Sequence, residues 1–204
     1  MSMGVGSARA ARLLLAAAAL AAGLFTRPAA AQDAGRPQQR IERASAVWPA
    51  EPFALVDAEG RAYTHERLQG RWTFVVFAGG GDGHGGCGAL CPQALAALDG
   101  MLRRIAGTEA LKTTQVLYVA LDGHPQRRPA LHDARSAAVA GAPRTLARLT
   151  DDLTVTRADT APPAGGAPRG IVLVGPDGSA RAEYLAPWDV KLMTADYLKT
   201  RLRR

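Results

Sequence analysis

Cysteine is scarce in this 204-residue chain: there are two, Cys87 and Cys91. None follows the apolar run near the N-terminus, which excludes lipid anchoring through a cysteine there. That run, Leu13 to Phe25, falls short of the about 20 apolar residues a membrane helix needs. The arginines ahead of it, Arg9 and Arg12, are not adjacent, so nothing points to twin-arginine export. Acidic residues are missing from positions 1–31, no internal repeat is present, and no histidine follows His132.

What the front of the chain does hold is the three-part pattern of a secretory signal peptide. Arg9 and Arg12 lead, the Ala/Leu run follows, and Ala29-Ala30-Ala31 offers small residues for cleavage before Gln32. Residues 1–31 are therefore expected to be removed and the protein to be periplasmic, a retained N-terminal anchor being the competing reading. In an oxidising compartment two cysteines four apart tend to pair. Taking the three arginines of the leader from the formal net charge of +7 leaves +4 on the mature chain. Such a surface suits an acidic partner protein or anionic lipid headgroups. Export argues against nucleic acid as a partner.

Residues 32–49 are polar, Pro-punctuated and without apolar periodicity, and read as a flexible linker. A folded domain is expected over 50–204. It opens with a β-hairpin, FALVDAEG turning into RAYT, followed by one helical turn over Thr64 to Leu68. Phe74-Val75-Val76-Phe77 is a short buried strand, ended by the cluster Gly79-Gly80-Gly81. Both cysteines lie in the glycine-rich loop beyond it. Pro92, favoured at a helix start, then opens a helix through Leu95, Leu98, Leu102 and Ile105 that Gly107 stops.

Gln115 to Leu121 predicts a second buried strand, and the alanine-rich segment Pro129 to Ala140 a helix. Gly141 to Ala167 has scattered apolar positions and a Pro/Gly loop. Ile171 to Val174 predicts a third buried strand, turned by Gly175-Pro176-Asp177-Gly178 into an antiparallel partner over Ala180 to Leu185. Asp189 to Leu202 predicts a helix whose last turn is cationic. Strands alternating with helices, with thiols where the first long helix begins, imply an α/β three-layer domain of the thioredoxin type with an N-terminal β-hairpin.

The hairpin FALVDAEG, the strand WTFVVF, the spacing CGALCP and the late VLVGPDG together resemble the Sco/SenC family. The resemblance runs from about Phe53 to the C-terminus. It implies a thioredoxin-fold protein serving the copper site of cytochrome c oxidase, with a copper-receiving oxidase subunit as partner. It also implies that Cys87 and Cys91 bind copper. The family completes its site with a histidine just ahead of the late strand. Here that place falls on Ala167 or Pro168, and the loop before Cys87 carries an inserted glycine-rich piece with His84.

A bland reading makes Cys87–Cys91 an inert staple. So small a ring removes only about 2 kcal/mol of unfolded-chain entropy, against roughly 4.7 kcal/mol for a hundred-residue loop. A helix N-terminus also favours the thiolate. The pair is therefore expected to be redox-active or metal-binding. His84, three residues before Cys87, would complete a trigonal Cu(I) site with two thiolates; otherwise it is an exposed loop histidine. Asp82 could orient its second nitrogen.

Arg169 begins RGIVLVGPDG, which also resembles the late strand of peroxiredoxins, although His84 occupies the place of that family's threonine. Pro168 stands where thioredoxin-like proteins carry a cis-proline. His65, His124 and His132 read as surface, and Trp72 and Trp188 as core. Three functions compete, the first two being a Sco-like copper or thiol-disulfide factor, and a peroxidase or thiol oxidoreductase in which Cys87 attacks and Cys91 resolves. A binding module without chemistry is the third.

Overall fold

The computed structural model describes residues 40–42, 48, 51–79, 90–124, 131, 135–154 and 170–203. The chain divides into two units, 1–36 and 37–204, and every described residue belongs to the second. Eight strands form one mixed sheet: β1 (Arg40–Glu42), β2 (Ala54–Asp57), β3 (Ala62–Thr64), β4 (Trp72–Ala78), β5 (Thr114–Ala120), β6 (Arg135–Ala140), β7 (Ile171–Val174) and β8 (Ala180–Tyr184). Their order across the sheet is β1-β8-β7-β4-β5-β6-β2-β3.

The centre of that sheet follows directly from composition. Every residue of β4, WTFVVFA, and of β5, TQVLYVA, is buried. A strand buried on both faces has no polar side to show, which is why these two read as continuous apolar runs. They pair in parallel from Trp72–Thr114 to Ala78–Ala120. β7 lies antiparallel on the other side of β4, with Val76 opposite Ile171. β2 and β3 form the expected hairpin. Its turn is fastened by Asp57, whose Oδ1 accepts from the backbone N–H groups of Glu59 (3.1 Å) and Arg61 (2.8 Å). A 3-10 turn, His65–Leu68, follows where one helical turn is expected.

Helices cover both faces. On one, α1 (Cys91–Arg104) and α4 (Val190–Leu202) pack over Trp72, Phe74 and Val76. On the other, Leu146 and Leu149 of α3 (Pro143–Thr154) pack with Val75, Phe77, Leu117 and Val119. A short α2 (Glu109–Lys112) precedes β5. The result is the expected three-layer arrangement. No helix among the described residues is long and apolar enough to cross a membrane.

Three segments differ from expectation. Arg135–Ala140, the second half of the helix expected over Pro129–Ala140, is strand β6, parallel to β5. Alanine prefers a helix by only tenths of a kcal/mol per residue, whereas the β5 edge offers a row of backbone partners. The stretch also alternates, Ala138 packing in one core and Val139 in the other. Helix α3 arises within Gly141–Ala167, with Leu146, Leu149 and Thr150 among its buried positions. The expected linker is anchored before it ends: β1 pairs antiparallel with β8 from Arg40–Tyr184 to Glu42–Ala182. Arg40 Nε also donates to Asp196 on α4 at 2.8 Å. Trp48 is only 2% exposed, and its indole N–H donates to the Leu149 carbonyl at 2.9 Å.

Candidate functional site: the start of α1

The two central parallel strands deliver the site. β4 leaves the sheet at Ala78, and Gly79 follows with φ of +135°, a conformation L side chains rarely adopt. A Cβ there would also stand 3.1 Å from Leu121 Cβ. The glycine-rich loop thus begins at a place that requires glycine. Residues 80–89, with Asp82, His84 and Cys87, lie outside the described residues. The chain is described again at Leu90, and Cys91 is the first residue of α1, with Pro92 in its first turn.

Cys91 is 9% exposed and packs with Ala94 and the strand side chains of the first core. It is disulfide-bonded, and the sequence holds one other cysteine, Cys87. The N-cap residue, Leu90, makes no side-chain cap hydrogen bond, and Cys91 at the first helical position stands at the positive end of the helix dipole. Negative charge on sulfur is favoured there, which lowers the cost of forming the thiolate once the disulfide is reduced.

The late strand starts at the same end of the sheet. Because Ile171 pairs with Val76, β7 begins beside the exit of β4. Gly170 precedes it, its N–H donating to Glu183 Oε1 at 3.2 Å. Glu183 is fully buried, a carboxylate placed at the entrance to β7 that sequence reasoning treats only as part of an antiparallel partner strand. Its one sequence signal is a second charged residue, beside Arg181, in the short strand ARAEY. Ala167, Pro168 and Arg169 lie outside the described residues. Among those described, the cis peptide is Ala186–Pro187.

The other histidines separate. His124 is exposed beyond β5, its backbone N–H donating to Asp122 Oδ1. His65 is half-buried, edge-on to Phe53 and 3.4 Å from Glu66, at the far end of β4 from the thiols; it is less of a surface residue than expected. His132 lies outside the described residues. Trp72 is core as expected, whereas Trp188 is half-buried at its margin and donates to the Tyr184 carbonyl. Among the described residues no three His, Cys, Asp or Glu side chains gather as a metal site.

The model of the SCO1/SenC family matches residues 43–196. The chain belongs to the SCO1/SenC family. Copper-bound yeast Sco1 is 18% identical with a TM-score of 0.55, over 76% of this chain and 92% of that one. Copper-bound Arabidopsis thaliana ScoI is 17% identical with a TM-score of 0.54, over 76% and 98%. BsSco, a Sco-family cytochrome c oxidase assembly protein in which a disulfide switch was identified, is 13% identical with a TM-score of 0.53, over 79% and 98%. No curated protein sequence matches significantly. At these identities the structural likeness shows a thioredoxin-like fold. The SCO1/SenC match begins after β1 and includes Trp48.

Proposed function

We propose that this SCO1/SenC protein is an exported thiol-disulfide and Cu(I)-handling factor that supports assembly of a copper site, such as that of a cytochrome oxidase subunit. The observation carrying this reading is Cys91: one of two cysteines, disulfide-bonded, at the start of α1 and packed in one core with Ala78 at the exit of the central strand. Burial of Cys91 makes Cys87 the thiol that meets a client. In the reduced protein the Cys87 thiolate attacks a client disulfide and releases one client thiol. Cys91 then attacks the mixed disulfide, freeing the second client thiol and closing Cys87–Cys91. Two electrons pass to the client.

Copper is cargo on this reading. Two thiolates give Cu(I) the soft, low-coordinate donors it prefers. On this reading His84 supplies the third donor, being the histidine nearest the pair in sequence. The test is competition with a Cu(I) chelator on reduced protein. Cys87→Ser and Cys91→Ser are expected to abolish binding, and His84→Ala to weaken it about 10- to 100-fold. Failure of the reduced wild type to compete would overturn the copper reading and leave thiol exchange. A Cys87–Cys91 potential far below about −300 mV, where structural disulfides lie, would overturn the redox role.

Peroxide consumption by the reduced protein would instead favour the peroxidase or thiol oxidoreductase reading, which the disulfide and the buried Cys91 also serve. Export is tested by fractionation: a periplasmic protein beginning at Gln32 is expected, and an intact Met1 in the membrane fraction would overturn it.

A further inference from the structure

At the opposite pole of the sheet the structure holds a second, differently built place. A cavity of about 380 Å³ opens where β4, β5 and β6 begin, lined by Tyr63, Arg67, Arg71, Gln115 and Arg135 among others. β4 alone, seven residues long, separates it from the cysteine end by about 20 Å.

Its arginines gather in one place without a counter-ion. Arg40, Arg61, Arg103, Arg148 and Arg181 each face a carboxylate. Arg67, Arg71 and Arg135 face none, and all three line the one cavity. Arg67 lies over the Tyr63 ring, 5.3 Å from its centroid. Tyr63 is only 5% exposed, and its hydroxyl has no hydrogen-bond partner. Burial pushes that hydroxyl up to about 12, against the pull of the Arg67 and Arg71 charges, so at neutral pH it is a donor awaiting an acceptor. Gln115 ties the cavity floor together, its Nε2 donating to the Arg67 carbonyl and to Thr73 Oγ1, both at 2.8 Å.

Three uncompensated guanidiniums and one hydroxyl donor match an oxyanion with more than one charge and several acceptor atoms. The volume exceeds what a bare tetrahedral anion fills. We infer that the Arg67–Arg71–Arg135 cavity, with Tyr63 as donor, binds the phosphate group of a phosphorylated ligand. The source is either a soluble phosphate or the headgroup of an anionic phospholipid. This site is independent of the thiol chemistry.

Two probes applied to the mature protein test it. Inorganic phosphate, titrated at constant ionic strength, is followed by NMR through the arginine Nε–Hε resonances. Sedimentation uses phosphatidylcholine vesicles with and without phosphatidylglycerol. The Arg67, Arg71 and Arg135 signals are expected to shift together and to saturate. Arg71→Gln or Arg135→Gln should weaken binding about tenfold or more, and Tyr63→Phe should weaken it while leaving the melting curve near wild type. Lys191→Gln, an equal charge loss on α4, should change nothing. Phosphate saturation without vesicle binding assigns a soluble ligand, and phosphatidylglycerol-dependent pelleting lost in Arg71→Gln assigns the headgroup. Unshifted arginine signals together with no such pelleting would overturn the site. So would an equal loss in Lys191→Gln, which would mark the binding as unspecific charge attraction.

Discussion

Single residues decide how the thiol end of the sheet is built. A Cβ on Gly170 would stand 2.3 Å from the Tyr184 carbonyl oxygen and 3.0 Å from Glu183 Cγ. Backbone cannot step aside as a side chain can, so Gly170→Ala is expected to cost about 3 kcal/mol, read as a lowered denaturant midpoint. Trp48 is the counterpart on the other face: its indole packs against Phe53 and Phe77 with centroids 6.5 and 6.3 Å away. Trp48→Ala should remove about 3–5 kcal/mol by opening a cavity and stranding the Leu149 carbonyl. An unchanged melting curve would show that the 40–48 segment is not part of the folded unit. Cys91 was legible at this scale because Pro92 announces a helix start. Trp48 was not, because one tryptophan in a polar stretch has no periodicity to betray its burial.

Elements with their own punctuation emerge as the sequence leads one to expect. The last helix, α4, begins at Asp189, whose Oδ1 accepts from the N–H groups of Lys191 (2.8 Å) and Leu192 (3.0 Å). Asp189→Ala is expected to cost about 1 kcal/mol, the usual worth of such a cap, visible as a small drop in thermal midpoint. Asp189→Asn should retain most of it. The β2–β3 hairpin and the α1 start are similarly marked by Asp57 and Pro92. By contrast β6 carries alanines that suit either state locally, and it becomes a strand because β5 offers an edge. Helix α3 is harder to read, because its leucines lie among polar and charged neighbours in a stretch bordered by glycine and proline.

For the whole molecule, the four tyrosines share one fate. Burial raises Tyr63, Tyr118, Tyr184 and Tyr197 above the ordinary value of 10.0. The Asp122 charge adds to the effect at Tyr118, and at Tyr184 the hydrogen bond to Asp196 does so. The neutral hydroxyl is the form the fold prefers. Below about pH 10 both states are protonated and the stability is fully present. Above it the unfolded chain loses protons that the folded chain keeps, so stability falls as pH rises toward the folded values. Denaturant midpoints should therefore hold steady to about pH 9 and decline above 10. Absorbance at 295 nm should show less tyrosinate at pH 10 in the folded protein than in the unfolded chain. Half-ionisation at pH 10 in the folded protein would contradict the packing described for these side chains.

The sequence by itself determined the elements whose chemistry is local. Unbroken apolar runs made β4, β5 and β7, Asp and Gly made the turns, and a proline behind a cysteine made the thiol-bearing helix start. Family membership was legible for the same reason, since its motifs are contiguous. Tertiary structure alone decided what depends on distant partners: β6 as a strand, the docking of Arg40–Glu42 and Trp48, and Glu183 beside Gly170. It also decided that Arg67, Arg71 and Arg135, 68 positions apart at the extremes, share one cavity. Such arginines carry no period and no motif. They meet because parallel strands all begin at one edge, and what they can bind follows from that edge rather than from any stretch of sequence.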